Sequence, residues 1–207
     1  MINKFRYSPT NDKIIRNSLK EILLKNHLNE QNTVITEELN LRHGEVRVDV
    51  AVVNGIIHGY ELKSDLDTLV RLPNQMNVYN SVLDQVTIVV GKNHLHHAFR
   101  AIPDWWGVMV AKVTDTEGKV QLLPIREARD NPSKDSLSVV RLLLKEEALM
   151  ILEEIGKAKD LRTKSREFVY EYLVDAFNQS DLRKKIREQL VLRIKKKSDL
   201  QRLINDD

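Results

Sequence analysis

The sequence predicts an α/β fold, a mixed sheet flanked by helices, followed by an all-helical C-terminal extension. Three observations predict it. Helical and strand patterns alternate along the first part of the chain as α, β-hairpin, α, β, α, β. An Asn54-Gly55 pair joins two runs of strand character, a strong short-range hairpin signal. Beyond Asn131-Pro-Ser-Lys-Asp135 only helical patterns occur.

Residues 11–26 carry Ile14, Ile15, Leu19, Ile22 and Leu23 at helical spacing, after Pro9, Thr10 and Asp12. Residues 33–39 begin with β-branched side chains and read either as an edge strand or as the start of a helix. A valine-rich strand over 46–53 pairs with a second over 56–63. Pro73 suits the first turn of a helix over 73–83. The short apolar run 86–90 has the pattern of a strand buried on both faces. A helix over 94–101 ends before Pro103, and strands over 107–113 and 120–123 flank a turn around Glu117-Gly118. Helices over 137–155, 163–178 and 182–197 complete the chain. The division is therefore an α/β core, 1–130, and a helical extension, 131–207.

The 207 residues can build one sizeable core, and 42% apolar with 30% charged residues suits a globular protein. The absence of cysteine excludes disulfides, thiolate zinc sites and cysteine nucleophiles. No apolar run approaches the roughly 20 residues that span a bilayer, and the start of the chain lacks the apolar core of a signal peptide. The expectation is a cytoplasmic protein without a membrane partner. A formal net charge of +3 does not by itself point to nucleic acid.

The chemistry concentrates in residues 47–63. Side chains alternate along a strand, so Glu61 and Lys63 point the same way. In a two-residue Asn54-Gly55 hairpin, Asp49 would face Tyr60 and its carboxylate would lie on the opposite side from Glu61. A three-residue loop over 53–55 with Gly55 left-handed, or a bulge at Gly59, brings Asp49, Glu61 and Lys63 to one face. Two carboxylates and an ammonium so placed can bind a divalent metal and prepare a water to attack phosphate. The alternative is a cross-strand salt bridge among Asp49, Glu61, Lys63 and Arg47 on a solvated face.

These residues resemble the PD-(D/E)XK nuclease superfamily, with its restriction-endonuclease-like fold. Asp49 matches the first acid, with Val48 where the family name has proline, and Glu61-Leu62-Lys63 matches the second half of the motif. Residues 34–110 look like small, mostly uncharacterised bacterial and phage members grouped near MmcB-like DNA-repair nucleases. The resemblance implies a Mg²⁺- or Mn²⁺-dependent endonuclease acting on DNA in repair, restriction or mobile-element processing. Asp49 and Glu61 would hold the metal, with the Leu62 carbonyl as third ligand and Glu38 as an additional acid from the N-terminal helical region. Glu37 is the alternative to Glu38, and an exposed structural acid is the plain reading of both. Lys63 would orient or deprotonate the attacking water. Gln75 and Tyr79, four apart on one helix face, would look toward the metal or the DNA, or else form a half-buried helix side. Ser64, Asp65, Asp67 and Arg71 would shape the rim, Arg71 toward DNA; Asp65, Asp67 or Thr68 could instead cap the next helix.

Between residues 182 and 202 nine basic residues face two acidic ones. Lys184, Lys185, Arg187, Lys195, Lys196 and Lys197 are the candidates there for phosphate contact; the plain reading is a solvated helix face. Residues 146–173 faintly resemble the helix–loop–helix of SAP-type DNA-binding modules, with Gly156 ending the first helix. His94, His96 and His97 match no zinc spacing and read as a surface helix start. Trp105-Trp106 reads as one ring in the core and one at the surface, with base stacking as the alternative. A homodimer would suit cuts in both strands, although no segment marks a symmetric interface. The competing function is a non-catalytic nucleic-acid or protein interaction module that keeps the nuclease fold.

Overall fold

A computed structural model describes residues 8–114 and 119–205 of the chain; the turn around Glu117-Gly118 lies outside them. Helix α1 (Asp12–Asn26) starts where the Asn11 side chain accepts the Ile14 N–H, and it leads into β1 (Val34–Leu41), β2 (Val46–Val53) and β3 (Ile57–Lys63). Then follow α2 (Leu72–Val82), β4 (Gln85–Gly91), α3 (Leu95–Ala101), β5 (Gly107–Val113) and β6 (Val120–Arg126). Helices α4 (Ser136–Val140), α5 (Lys145–Glu153), α6 (Arg166–Ala176) and α7 (Gln179–Asn205) form the extension. No helix among the described residues is long and apolar enough to cross a membrane.

The six strands lie in chain order in one sheet. The β1–β2, β2–β3 and β5–β6 pairs are antiparallel, whereas β3–β4 and β4–β5 are parallel. The parallel pairs need crossovers, which α2 and α3 supply. Residues 33–39 settle as a strand, and β6 runs through Pro124 to Arg126 because an edge strand tolerates a residue without an N–H.

Two apolar layers sandwich the sheet. On one face α1 sets Ile15, Leu19 and Leu23 against Val50, Val52, Tyr60 and Leu62. On the other, α2 contributes Val78, Tyr79 and Val82 to a cluster that also takes in Val140, Ile151, Tyr170 and Ile186. The helical extension thus shares a core with the sheet across residue 130. The expected helix over 137–155 is two helices, because the carbonyls of Leu142 and Leu143 turn away to accept bonds from Arg193 and the Tyr170 hydroxyl. Gly156 (φ +69°) closes the end of α5, as its place in the sequence suggests. Trp106 is buried and donates to Asn80, while Trp105 is half-buried beside it.

One departure from regular alternation bears on the site. Val46 and Val48 pack with the same cluster as Ala51 and Val53, while Val50 and Val52 pack on the other face. Regular alternation along the valine run is therefore broken within β2. The switch falls at Asp49, and its cross-strand neighbour Glu38 in β1 is left-handed (φ +53°) and drops out of an otherwise continuous ladder. A non-glycine residue in that conformation is a crimp that turns both strands over together.

The turn after β3 is clamped to α1 and β4. The Thr10 hydroxyl and N–H donate to Asp65 Oδ2, and the Asn93 N–H donates to Oδ1. Gly91 permits this approach, since a Cβ there would stand 2.6 Å from the Asp65 Cγ and backbone nitrogen. Gly91→Ala is expected to destabilise the fold by about 1–3 kcal/mol, read as a lowered midpoint in thermal denaturation.

Candidate active site

The hairpin register decides whether the two acids meet. Val53 pairs with Ile57, Val52 with His58, Ala51 with Gly59 and Val50 with Tyr60. The ladder ends at that last pair, and just beyond it Asp49 Oδ2 accepts the Leu62 N–H, which brings Asp49 beside Glu61 at the lining of one cleft. The required irregularity is a three-residue loop, Asn54 to Ile56, one position later than the sequence suggested. Asn54 builds it: its side chain accepts the Ile56 N–H and its own N–H donates to the Ile56 carbonyl. Gly55 is not left-handed and Gly59 pairs regularly, so neither of the glycine devices expected from sequence is used.

Glu61, Leu62 and Lys63 lie at the carboxyl end of β3, and Glu61 is fully buried. Its Oε1 accepts from Lys63 Nζ at 2.5 Å and Gln75 Nε2 at 2.7 Å; its Oε2 accepts from the Tyr79 hydroxyl at 2.5 Å. Tyr79 also reaches the Arg47 carbonyl at 3.0 Å. Burial and the nearby Glu61 charge raise the Tyr79 phenol well above its ordinary pKa, so it keeps its proton and donates to Glu61. Being buried, Tyr79 cannot touch DNA, contrary to its assignment from sequence; it positions Glu61 instead.

Asp49 is held at both oxygens. Oδ2 accepts the Leu62 N–H at 2.7 Å and Oδ1 accepts from Arg16 Nη2 at 3.2 Å. Burial, then repulsion from Glu61, push its carboxyl up to about 6, against opposing pulls from the Leu62 N–H, Arg16 and Lys63. Two carboxylates that disfavour each other's charge are a place where a cation is stabilised.

A cleft of about 510 Å³ opens over these groups, lined among others by Asp12, Glu38, Asp49, Glu61, Lys63 and Arg71. Glu38 belongs to β1, not to a helical region, and its carboxylate pairs with Arg16 at 3.4 Å and Arg47 at 3.5 Å. Glu37 is tied to Lys20 and Arg16. Asp67 accepts the Ser64 N–H and hydroxyl, closing a turn, and Arg71 occupies the position before α2 without a side-chain cap. The capping roles considered for Asp65 and Asp67 are therefore not theirs.

Sequence reasoning missed Asp12 and Arg16. Arg16 joins Asp12, Glu37, Glu38 and Asp49 from the first turns of α1. The available signal was an Asp–Arg pair spaced i, i+4, which is too common on helix surfaces to single out.

The donor set suits a hard dication, because every candidate ligand is an oxygen. Asp49 and Glu61 supply carboxylates, and the buried Gln75 Oε1 is a carbonyl oxygen with no hydrogen-bond partner. Leu62 lines the same cleft. Among the described residues no group of three or more His, Cys, Asp or Glu side chains is arranged to hold an ion, so backbone, amide and water oxygens would have to complete the shell. His94, His96 and His97 are not such a group; His94, just before α3, bonds the Asp67 carbonyl.

The basic stretch of α7 divides by role. Arg183 pairs with Asp84 and Arg193 with Glu147, bracing the helix against the core. Lys185 pairs with Glu154 over the Phe177 ring, which withdraws it from the expected phosphate-binding set. Lys195 is exposed and donates to the Gln31 carbonyl. Lys184, Lys196 and Lys197 are exposed, Arg187 is half-buried, and none of the four forms an ion pair among the described residues. A second cleft of about 440 Å³ is lined by Arg141, Arg166, Arg193 and Lys197 and shares Glu38 with the first.

Fold and site together define a mixed-sheet α/β protein with a buried acid–amine cluster at the mouth of a cleft. Residues 7–205 match the family described as Bacteriophage P4 protein cII, and the chain belongs to that family. It is 26% identical over 142 residues to Protein cII of Enterobacteria phage P4, a match covering 69% of this chain and 53% of that one. The chain thus spans about half the length of the curated relative it matches. A solved structure of a protein of unknown function from Silicibacter pomeroyi is similar over 73% of this chain and 92% of its own, with TM-score 0.39 and 19% identity.

Proposed function

We propose that this chain is a metal-dependent nuclease of the PD-(D/E)XK type that hydrolyses phosphodiester bonds in DNA, using Mg²⁺ or Mn²⁺. The observation that carries the reading is the convergence of Asp49, Glu61 and Lys63 on one cleft, with Lys63 bonded to Glu61 and Asp49 bonded to the Leu62 N–H between them. A dication held by Asp49, Glu61 and the Leu62 carbonyl, with Glu38 at the rim, would supply charge neutralisation at the scissile phosphate and a more acidic bound water. Lys63 would orient that water or stabilise the developing negative charge. Gln75 and Tyr79 fix the Glu61 carboxylate, so they act through it. Arg71 stands at the rim where a phosphate would pass.

The exposed lysines of α7 and the second cleft support a path for the nucleic-acid backbone beside the site. Replacing Lys196 and Lys197 with alanine is expected to reduce the slope of log affinity against log salt by about two, in DNA binding followed by fluorescence anisotropy. A phage relative favours mobile-element processing over repair or restriction. A cytoplasmic setting and a homodimer remain parts of this reading.

Incubation with supercoiled and linear DNA in Mg²⁺, Mn²⁺ or EDTA tests it. Nicked circles in either metal and intact circles in EDTA are expected, with no nicking by Asp49→Ala. Nicking by Asp49→Ala equal to that of the unaltered protein would end the enzyme assignment. One observation favours a second reading, a non-catalytic binding module: Glu61 is already satisfied by Lys63, Gln75 and Tyr79, a network that is complete without an ion. That module would bind DNA and leave circles intact in every metal.

A further inference from the structure

Arg16 sits where four carboxylates converge, and its side chain is only 14% exposed. Nε and Nη2 grip both Asp12 oxygens at 2.9 Å, while Nη1 donates to the Asp49 carbonyl at 2.8 Å. The remaining contacts are looser: Asp49 Oδ1 at 3.2 Å, Glu38 Oε1 at 3.4 Å and Glu37 Oε2 at 3.7 Å. Glu37 and Glu38 have second partners in Lys20 and Arg47. Asp12 and Asp49 have no other ion-pair partner among the described residues.

We propose that Arg16 is a resident counter-cation for Asp49, and that a divalent cation binding at Asp49 competes with it for Oδ1. The inference rests on the metal-site reading above. Three features carry it. Asp49 Oδ2 already accepts the Leu62 N–H, so Oδ1 is the oxygen that Arg16 and an incoming ion would share. The contact to Oδ1 is longer than the bonds to Asp12 and to the Asp49 carbonyl, so it can be released while the guanidinium stays anchored. Crowding also gives the acids a need for positive charge before any ion arrives: Asp12, Glu38 and Glu61 line the same cleft as Asp49. Burial alone would make the guanidinium easier to deprotonate, but Asp12 and Asp49 more than reverse this, so Arg16 stays charged throughout. A purely structural strut would have the opposite consequence, because losing it would disorder Asp49 and weaken ion binding.

The test is Mn²⁺ binding measured by titration calorimetry, with no DNA present. Arg16→Gln is expected to bind at least about tenfold more tightly than the unaltered protein, a change of about 1.4 kcal/mol. Arg16→Lys, which keeps the charge, should stay close to the unaltered protein. Equal or weaker binding by Arg16→Gln overturns the proposal. Should that variant fail to fold, the unaltered protein still decides: the Arg16 Nη2 resonance, which reports the contact to Asp49 Oδ1, must shift as Mg²⁺ is added, with the same saturation as the binding isotherm. A resonance unmoved at saturating Mg²⁺ overturns it. If the unaltered protein binds neither ion, the metal site falls and this role with it; if it binds and Arg16→Gln gains nothing, only the role of Arg16 falls.

Discussion

Lys63→Met is expected to lower DNA cleavage by about 10²- to 10⁴-fold while Mn²⁺ binding survives. Lys63 is 5% exposed, and its ammonium is the group of the cluster able to meet negative charge developing on a phosphate in the cleft. Methionine keeps an unbranched stem and so preserves the packing of the side chain. Breaking one partner from a buried ion pair costs about 3–5 kcal/mol. The lower end applies here, because Gln75 and Tyr79 continue to donate to Glu61. The variant should therefore unfold at a lower temperature yet regain stability as Mn²⁺ replaces the missing charge. Lys63→Arg should not restore cleavage, since a planar fork does not substitute for a compact ammonium in a closed site. Cleavage unchanged in Lys63→Met would remove the amine from the chemistry.

Asp49→Asn is expected to reduce cleavage by at least about 10³-fold and, without metal, to remove a pH-dependent cost from the fold. The Asp49 carboxyl titrates at about 6 in the folded chain, against 3.8 ordinarily, owing first to burial and then to Glu61. The folded state therefore holds its proton more tightly than the unfolded state. Between about pH 4 and 6 it binds more protons, so stability declines as pH rises through that window, and above it the whole cost is present. Its upper bound is about 3 kcal/mol, since a unit of pKa corresponds to about 1.4 kcal/mol. The side chain is 21% exposed, which keeps solvent screening modest. Asparagine has no such titration. Denaturant unfolding at pH 4, 5, 6 and 7.5 should show the unaltered protein losing stability relative to Asp49→Asn across that range. Parallel curves would mean that folding does not raise the Asp49 carboxyl, whether by burial or by Glu61. Because an ion needs the carboxylate form, Mn²⁺ affinity should rise with pH as Asp49 loses its proton.

Much of this site was legible in the sequence, and the parts that were not have identifiable causes. The bounds of β2 follow from its valine run and the Asn-Gly turn, and the shared direction of Glu61 and Lys63 follows from the two-residue period of a strand. That period also posed the right question about Asp49, namely which register would bring it to Glu61. It did not supply the answer, because a loop of residues 54–56 and one of 53–55 place the side chains on the same faces. The crimp at Glu38 left no trace, since alternation assumes that a strand keeps its faces. Spacing put Gln75 and Tyr79 on one side of α2 but said nothing of depth, and depth turns Tyr79 from a DNA contact into a buried support. The break between α4 and α5 is hidden because Leu142 and Leu143 continue the apolar pattern through it. Arg16 escaped notice because its partners are brought together by the sheet and not by the chain.

Crystals soaked in Mn²⁺ and measured at the manganese absorption edge test the central claim directly. An anomalous peak is expected between the Asp49 and Glu61 carboxylates, within about 2.0–2.3 Å of their oxygens and beside the Leu62 carbonyl. No peak there at saturating Mn²⁺, or a peak bound only by surface acids with Glu61 still closed on Lys63, Gln75 and Tyr79, would contradict it.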